Sequence, residues 1–125
     1  MSMEHQVTTY VRIYSDDAGE THFDEVAVSV TLTTPALQVL FASPIETRRA
    51  LFCRLRGDLV GGWHPAPSRQ FFVLLSGEIE GQVSDGDLRR FGPGAVLLLE
   101  DLTGRGHTNR VVGGVDAEAM LVSFA

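Results

Sequence analysis

The chain contains no lysine; its ten basic residues are all arginines, and against 16 acids they leave a net charge of −6. A Gly-rich phosphate loop ending in lysine is therefore absent. The acidic balance also argues against nucleic acid or an anionic membrane as partner, since both call for a basic surface. Cysteine is nearly missing too. Cys53 stands alone, which rules out an internal disulfide and fits a reducing, cytoplasmic setting. No apolar run reaches the roughly 18 residues of a membrane-spanning helix. The start, MSMEHQVTTY, lacks the basic-then-apolar order of a secretory signal. There is no Gly-x-Ser-x-Gly elbow, and Ser76-Gly77 reads as a turn rather than a nucleophile.

What is present reads as β structure in one domain. A length of 125 residues, with 44% hydrophobic residues, is enough for a single core. Residues 1 to about 9 are polar and expected to fray, with a first short strand from Tyr10 to Tyr14. Val26, Val28, Val30 and Leu32 alternate with polar residues, the period of a half-buried strand, which Pro35 ends. Ala36 to Phe41 is a strand or a covering loop. Thr47 to Leu55 has arginines that suit a helix face, but Leu51, Cys53 and Leu55 alternate and favour a strand. Strands then follow closely: 70–75, 78–84, 88–91, 95–100, 107–112 and 117–124. Between them lie Asp85-Gly86, Gly92-Pro93-Gly94, Gly104 with Gly106, and Gly113-Gly114. Many short strands with turn chemistry between them predict an all-β sandwich or barrel.

The stretch Gly57 to Gly77, GDLVGGWHPAPSRQFFVLLSG, and the later Gly104-Arg-Gly-His107 resemble the two motifs of a small cupin. In the first motif His64 stands at a histidine place, Ala66 at the second histidine's, Gln70 at the glutamate's, and Gly77 at the closing glycine. In the second, Gly104 and His107 match, Leu102 replaces a proline, and Val111 replaces an asparagine, with Asn109 two residues short. The resemblance runs from Gly57 to Arg110 and implies a double-stranded β-helix, or jelly-roll barrel. It also implies that both motifs face one pocket holding His64, Gln70 and His107.

From that pocket follow the candidate roles. His64 and His107 are the candidate catalytic acid or base residues. With Gln70 they are also candidate ligands of a divalent transition metal (zinc, nickel, iron or copper). That metal would be weakly held, because Ala66 removes an imidazole and Gln70 a negative charge. Trp63 either walls the pocket or plugs the core. Phe72 and Leu74 share the parity of Gln70 and should line the barrel with it, whereas Arg69 points to the opposite face. Of Glu100 and Asp101, one can turn inward to restore a carboxylate or to serve as a general base. Trp63, Gln70, Phe72, Leu74 and Glu100 are the candidate substrate-binding residues, Gln70 by reading a substrate carbonyl if not as a metal ligand. His22 either reaches over a barrel mouth or lies in a surface turn. Three functions stay open: an enzyme acting on a small carbonyl or carboxylate compound, a non-catalytic small-ligand module, and a structural domain. A homodimer using the N-terminal strands is the expected assembly, because open edges invite pairing.

Overall fold

The described residues form ten strands: β1 (His5–Ser15), β2 (Thr21–Thr34), β3 (Val39–Phe41), β4 (Thr47–Leu55), β5 (Gln70–Ser76), β6 (Ile79–Val83), β7 (Leu88–Phe91), β8 (Val96–Leu99), β9 (His107–Val111) and β10 (Ala117–Phe124). The structure is a computed structural model and describes residues 5–125. A 3-10 turn, Pro35–Leu37, joins β2 to β3. Among the described residues no helix is long and apolar enough to cross a membrane.

The strands form two sheets, one of seven in the order β3-β2-β1-β8-β5-β10-β4 and one of three in the order β7-β6-β9. The all-β expectation is met. Strand alternation decides which side chains enter the space between the sheets. From the large sheet come Ile13, Phe72, Leu74, Leu97, Leu99 and Ala119; from the small one come Ile79, Val83, Phe91 and Val111. Each such large side chain, fully buried, contributes roughly 1.5–3 kcal/mol. Cys53 packs against this core, and burial raises its thiol pKa. It is therefore a core residue and not an activated nucleophile.

The sheets stay distinct instead of closing into one hydrogen-bonded barrel. The segment 57–69 carries Pro65, Pro67 and a Gly61-Gly62 pair. Proline offers no N–H and glycine no side chain to pack, so a continuous strand is disfavoured there. Only two isolated bridges form, Val60 to Arg110 and His64 to His107.

At the N-terminus β1 starts at His5, ahead of the expected Tyr10. The β-branched run Val7-Thr8-Thr9 pairs in register with Ser29, Val28 and Ala27, and this cross-strand pairing outweighs local polarity. Residues 1–4 of the stretch expected to fray lie outside the described residues. Only Val11 to Ile13 of β1 pair with β8. The rest of the β1–β2 hairpin runs beyond that neighbour.

Candidate functional site

His107 begins β9, directly after a loop that only glycine can form. Gly106 has a φ of 76°, and a Cβ there would lie 2.1 Å from the His64 carbonyl oxygen. That close approach lets the two backbones exchange bonds, His64 N–H to His107 O and His107 N–H to His64 O, each at 3.0 Å. The Thr21 hydroxyl donates to the Gly106 carbonyl at 2.6 Å, and the Arg105 N–H to the Gly19 carbonyl at 3.0 Å. So the β1–β2 turn clasps the loop from the other side.

The result is a tilted histidine pair, with ring centroids 4.8 Å apart and planes inclined at 54°. Their surroundings differ. His64 is exposed, while His107 is buried. Behind His107 lies Asp101, with 0% of its surface accessible. Its Oδ2 is 2.6 Å from His107 Nδ1, and its backbone carbonyl accepts from the Ala66 N–H at 2.8 Å. One residue thus holds both motif segments in place.

These contacts determine which ring nitrogen is available. A carboxylate and a carbonyl can only accept, so His107 Nδ1 donates to Asp101 and His64 Nδ1 donates to the Gly62 carbonyl at 2.8 Å. In the neutral rings both Nε2 atoms therefore keep their lone pairs. Asp101 Oδ1 is buried and finds no hydrogen-bond donor among the described residues. A buried oxygen in that state is costly and calls for a donor from outside the chain, such as a water or a ligand.

The other candidate residues separate. Phe72 and His107 line the same void between the sheets, whose volume of about 30 Å³ leaves room for on the order of one or two waters. Leu74, 1% exposed, is packed core and lines none of the cavities described. Gln70 faces inward as its parity requires, but it opens on another cavity with Arg48 and Arg49, one lined by neither histidine. Trp63 is half exposed and walls a third cavity, about 440 Å³, with Gln82, Ser84 and Arg105. Glu100 turns outward: its two oxygens take Arg12 Nε at 2.7 Å and Arg69 Nε at 2.6 Å. Of the two adjacent acids it is Asp101 that faces the histidines. Strand β8 turns Leu97 and Leu99 inward, and the same alternation carried two residues further puts Glu100 outward and Asp101 inward. The Glu100 N–H still bonds the Ile13 carbonyl at 2.8 Å.

His22 lies at the surface between two carboxylates, with Nε2 2.8 Å from Asp16 and Nδ1 2.7 Å from Asp85. Only the protonated ring can donate from both nitrogens. The hydrogen bonds to Asp16 and then Asp85 raise its pKa above the ordinary 6.5. Among the described residues no three His, Cys, Asp or Glu side chains gather as a metal-binding group. No protein-family model matches the chain, and no curated protein matches it.

Proposed function

We propose that the protein binds a small carbonyl or carboxylate compound against the His64–His107 pair, with His107 as the proton-transferring group. The observation that carries this reading is the buried Asp101–His107 hydrogen bond. A carboxylate held behind an imidazole fixes its tautomer and its orientation, and so presents Nε2 to whatever lies in front. A proton taken up at Nε2 would create an imidazolium that Asp101 stabilises from behind. The void between the sheets admits little more than water. A larger ligand would therefore meet the pair from the exposed His64 side. The jelly-roll reading belongs with this proposal: two facing sheets and the meeting of both histidine segments support it.

A second reading is a weakly held divalent metal on the same pair. Its support is the tautomer pattern, which leaves one Nε2 lone pair on each ring, with a carboxylate–histidine arrangement behind one of them. His64 and His107 would be the ligands, and the metal would polarise a substrate oxygen as a Lewis acid. Ala66 is buried core and Gln70 faces a different cavity. Two imidazoles are fewer than the three protein ligands of common catalytic zinc sites, so the residues suit weak binding only. A homodimer completes the proposal. Tyr10, Val28, Ile45, Phe71, Val73 and Val122 line an apolar groove on the outer face of the large sheet, and the β1–β2 hairpin reaches past β8 beside it. Sedimentation at micromolar concentration should give a dimer; a monomer alone would remove this part.

The experiment for the site follows the imidazole NMR signals of wild type and His107→Ala while acetone, pyruvate and zinc are added in separate titrations. Saturable shifts of both ring signals with a carbonyl compound, lost in His107→Ala, are expected. Response to zinc alone would favour the metal reading, and no response to any probe would contradict both.

A further inference from the structure

We infer that a second site, independent of the histidine pair, binds a small carboxylate in the cavity between β4, β5 and β10. The cavity measures about 210 Å³ and is lined by Arg48, Arg49, Ser68, Gln70, Ser123 and Phe124. Three observations point to an anion there.

The first is charge. Every other arginine of the chain stands within ion-pair distance of a carboxylate; among the described residues Arg48 and Arg49 alone do not. In a molecule of net charge −6, two neighbouring guanidinium groups without an acid are the exception. Arginines on an edge strand such as β4 also discourage sheet-to-sheet pairing, which accounts for their charge.

It does not account for Gln70, the second observation. Only 8% of its surface is exposed, and its side-chain amide has no hydrogen bond to any described residue, yet it lines this cavity. Its amide is largely enclosed yet open to the cavity, and a ligand oxygen there could accept from its NH₂. The Ser68 hydroxyl adds a further donor, while the Ser123 hydroxyl donates its proton to the Arg49 carbonyl at 3.3 Å.

Third, the remaining wall is apolar. Leu51 and Leu121 are paired across β4 and β10 and, with Phe124, form the cavity's apolar lining. A planar carboxylate matches the guanidinium fork in a bidentate way, and a short hydrocarbon body would meet the leucines. The volume falls below the roughly 300 Å³ at which drug-sized pockets begin, so a compound of a few carbons fits and a nucleotide does not.

The test uses the full chain and three probes: butyrate, its uncharged analogue butyramide, and inorganic phosphate. The readout is the Gln70 side-chain amide and the arginine Nε signals in ¹H–¹⁵N spectra. Saturable butyrate binding is expected, weakened at least tenfold by Arg49→Gln and by Arg48→Gln, and unchanged by His107→Ala. That last arm separates this site from the histidine pair. Because β4 is an exposed edge, both arginine variants should keep wild-type spectral dispersion. Gln70→Met, which keeps the volume but lacks the donors, should weaken butyrate too. Equal response to butyramide, loss of binding in His107→Ala, or binding of phosphate without butyrate would overturn the proposal, as would no saturable response.

Discussion

Two polar sites interrupt the same core, and they are resolved in opposite ways. At Asp101–His107 the charged group is buried deep and has its partner within the chain, 2.6 Å away. At Arg48, Arg49 and Gln70 the polar groups converge on a cavity, and no acid among the described residues answers them. The first arrangement spends an internal carboxylate on orienting one imidazole. The second leaves donors free. A site oriented from within is suited to moving a proton, because geometry is settled before a ligand arrives. A site with surplus donors is suited to holding an anion.

The comparison can be broken most forcefully at the loop that builds the first site. Gly106→Ala places a Cβ 2.1 Å from the His64 carbonyl oxygen at a positive φ. The paired backbone bonds between His64 and His107 would have to part. A loss of at least about 3 kcal/mol in denaturant unfolding is expected, at the severe end for single substitutions; a near-neutral result would mean that the bridge is not where it is described.

Next in size is Asp101→Ala. It leaves His107 Nδ1 buried without an acceptor, a cost of about 1–3 kcal/mol. It should also release the tautomer, so that the His107 ring signals broaden or move while the Gln70 amide signals stay put. By contrast, the double variant Arg48→Gln, Arg49→Gln should change stability by no more than about 0.5 kcal/mol, as surface substitutions usually do, while butyrate binding disappears. Equal stability losses at the two sites would erase the distinction between an internal pair and an open one.

The smallest expected effect lies at His22, an ion cluster at the surface that serves as a control. The raised pKa of His22 means that its contribution is fully present below 6.5 and is lost as pH climbs through the raised folded value. Asp16 is lowered from 3.8 chiefly by its bond to His22, and Asp85 chiefly by the Asp87 backbone N–H and then by His22. Their contributions are present above 3.8 and fade as pH falls through the lowered values. The cluster therefore supports the fold most between pH 3.8 and 6.5. In Asp16→Asn the His22 midpoint should move back toward 6.5, and the gentle stability decline above that pH should flatten. An unchanged midpoint would show that Asp16 does not hold the ring.

The fold was largely legible in the sequence because alternation and turn residues are local signals. Val26 to Leu32, the Asp85-Gly86 hairpin and the Gly92-Pro93-Gly94 turn each declare themselves within a few residues. The inward facing of Phe72 and Leu74 followed from parity. What pairs at a distance was less visible. The strand status of residues 5–9 depends on β2, and the sheets' failure to close follows from prolines and glycines whose missing partners appear only in three dimensions. At the site, it was the resemblance to the two motifs that implied a shared place for His64 and His107. It leaves open which of Glu100 and Asp101 turns in, although the parity of Leu97 and Leu99, carried two residues on, selects Asp101. Nor could the resemblance separate Gln70 from the histidines: parity shows the face a side chain takes but not which cavity along that face it reaches. Arg48 and Arg49 carried no sequence signal beyond charge, and their meaning rests on the absence of a nearby acid.

The central claim is that Asp101 fixes His107 so that Nε2 is the atom offered to a ligand. Long-range ¹H–¹⁵N correlation of the imidazole rings tests it most directly, recorded at a pH high enough for both rings to be neutral. The account predicts that His107 and His64 each carry the proton on Nδ1, with Nε2 showing the shift of an unprotonated nitrogen, and that Asp101→Ala alters this pattern for His107 alone. A proton found on Nε2 of His107 in the wild-type protein would contradict it.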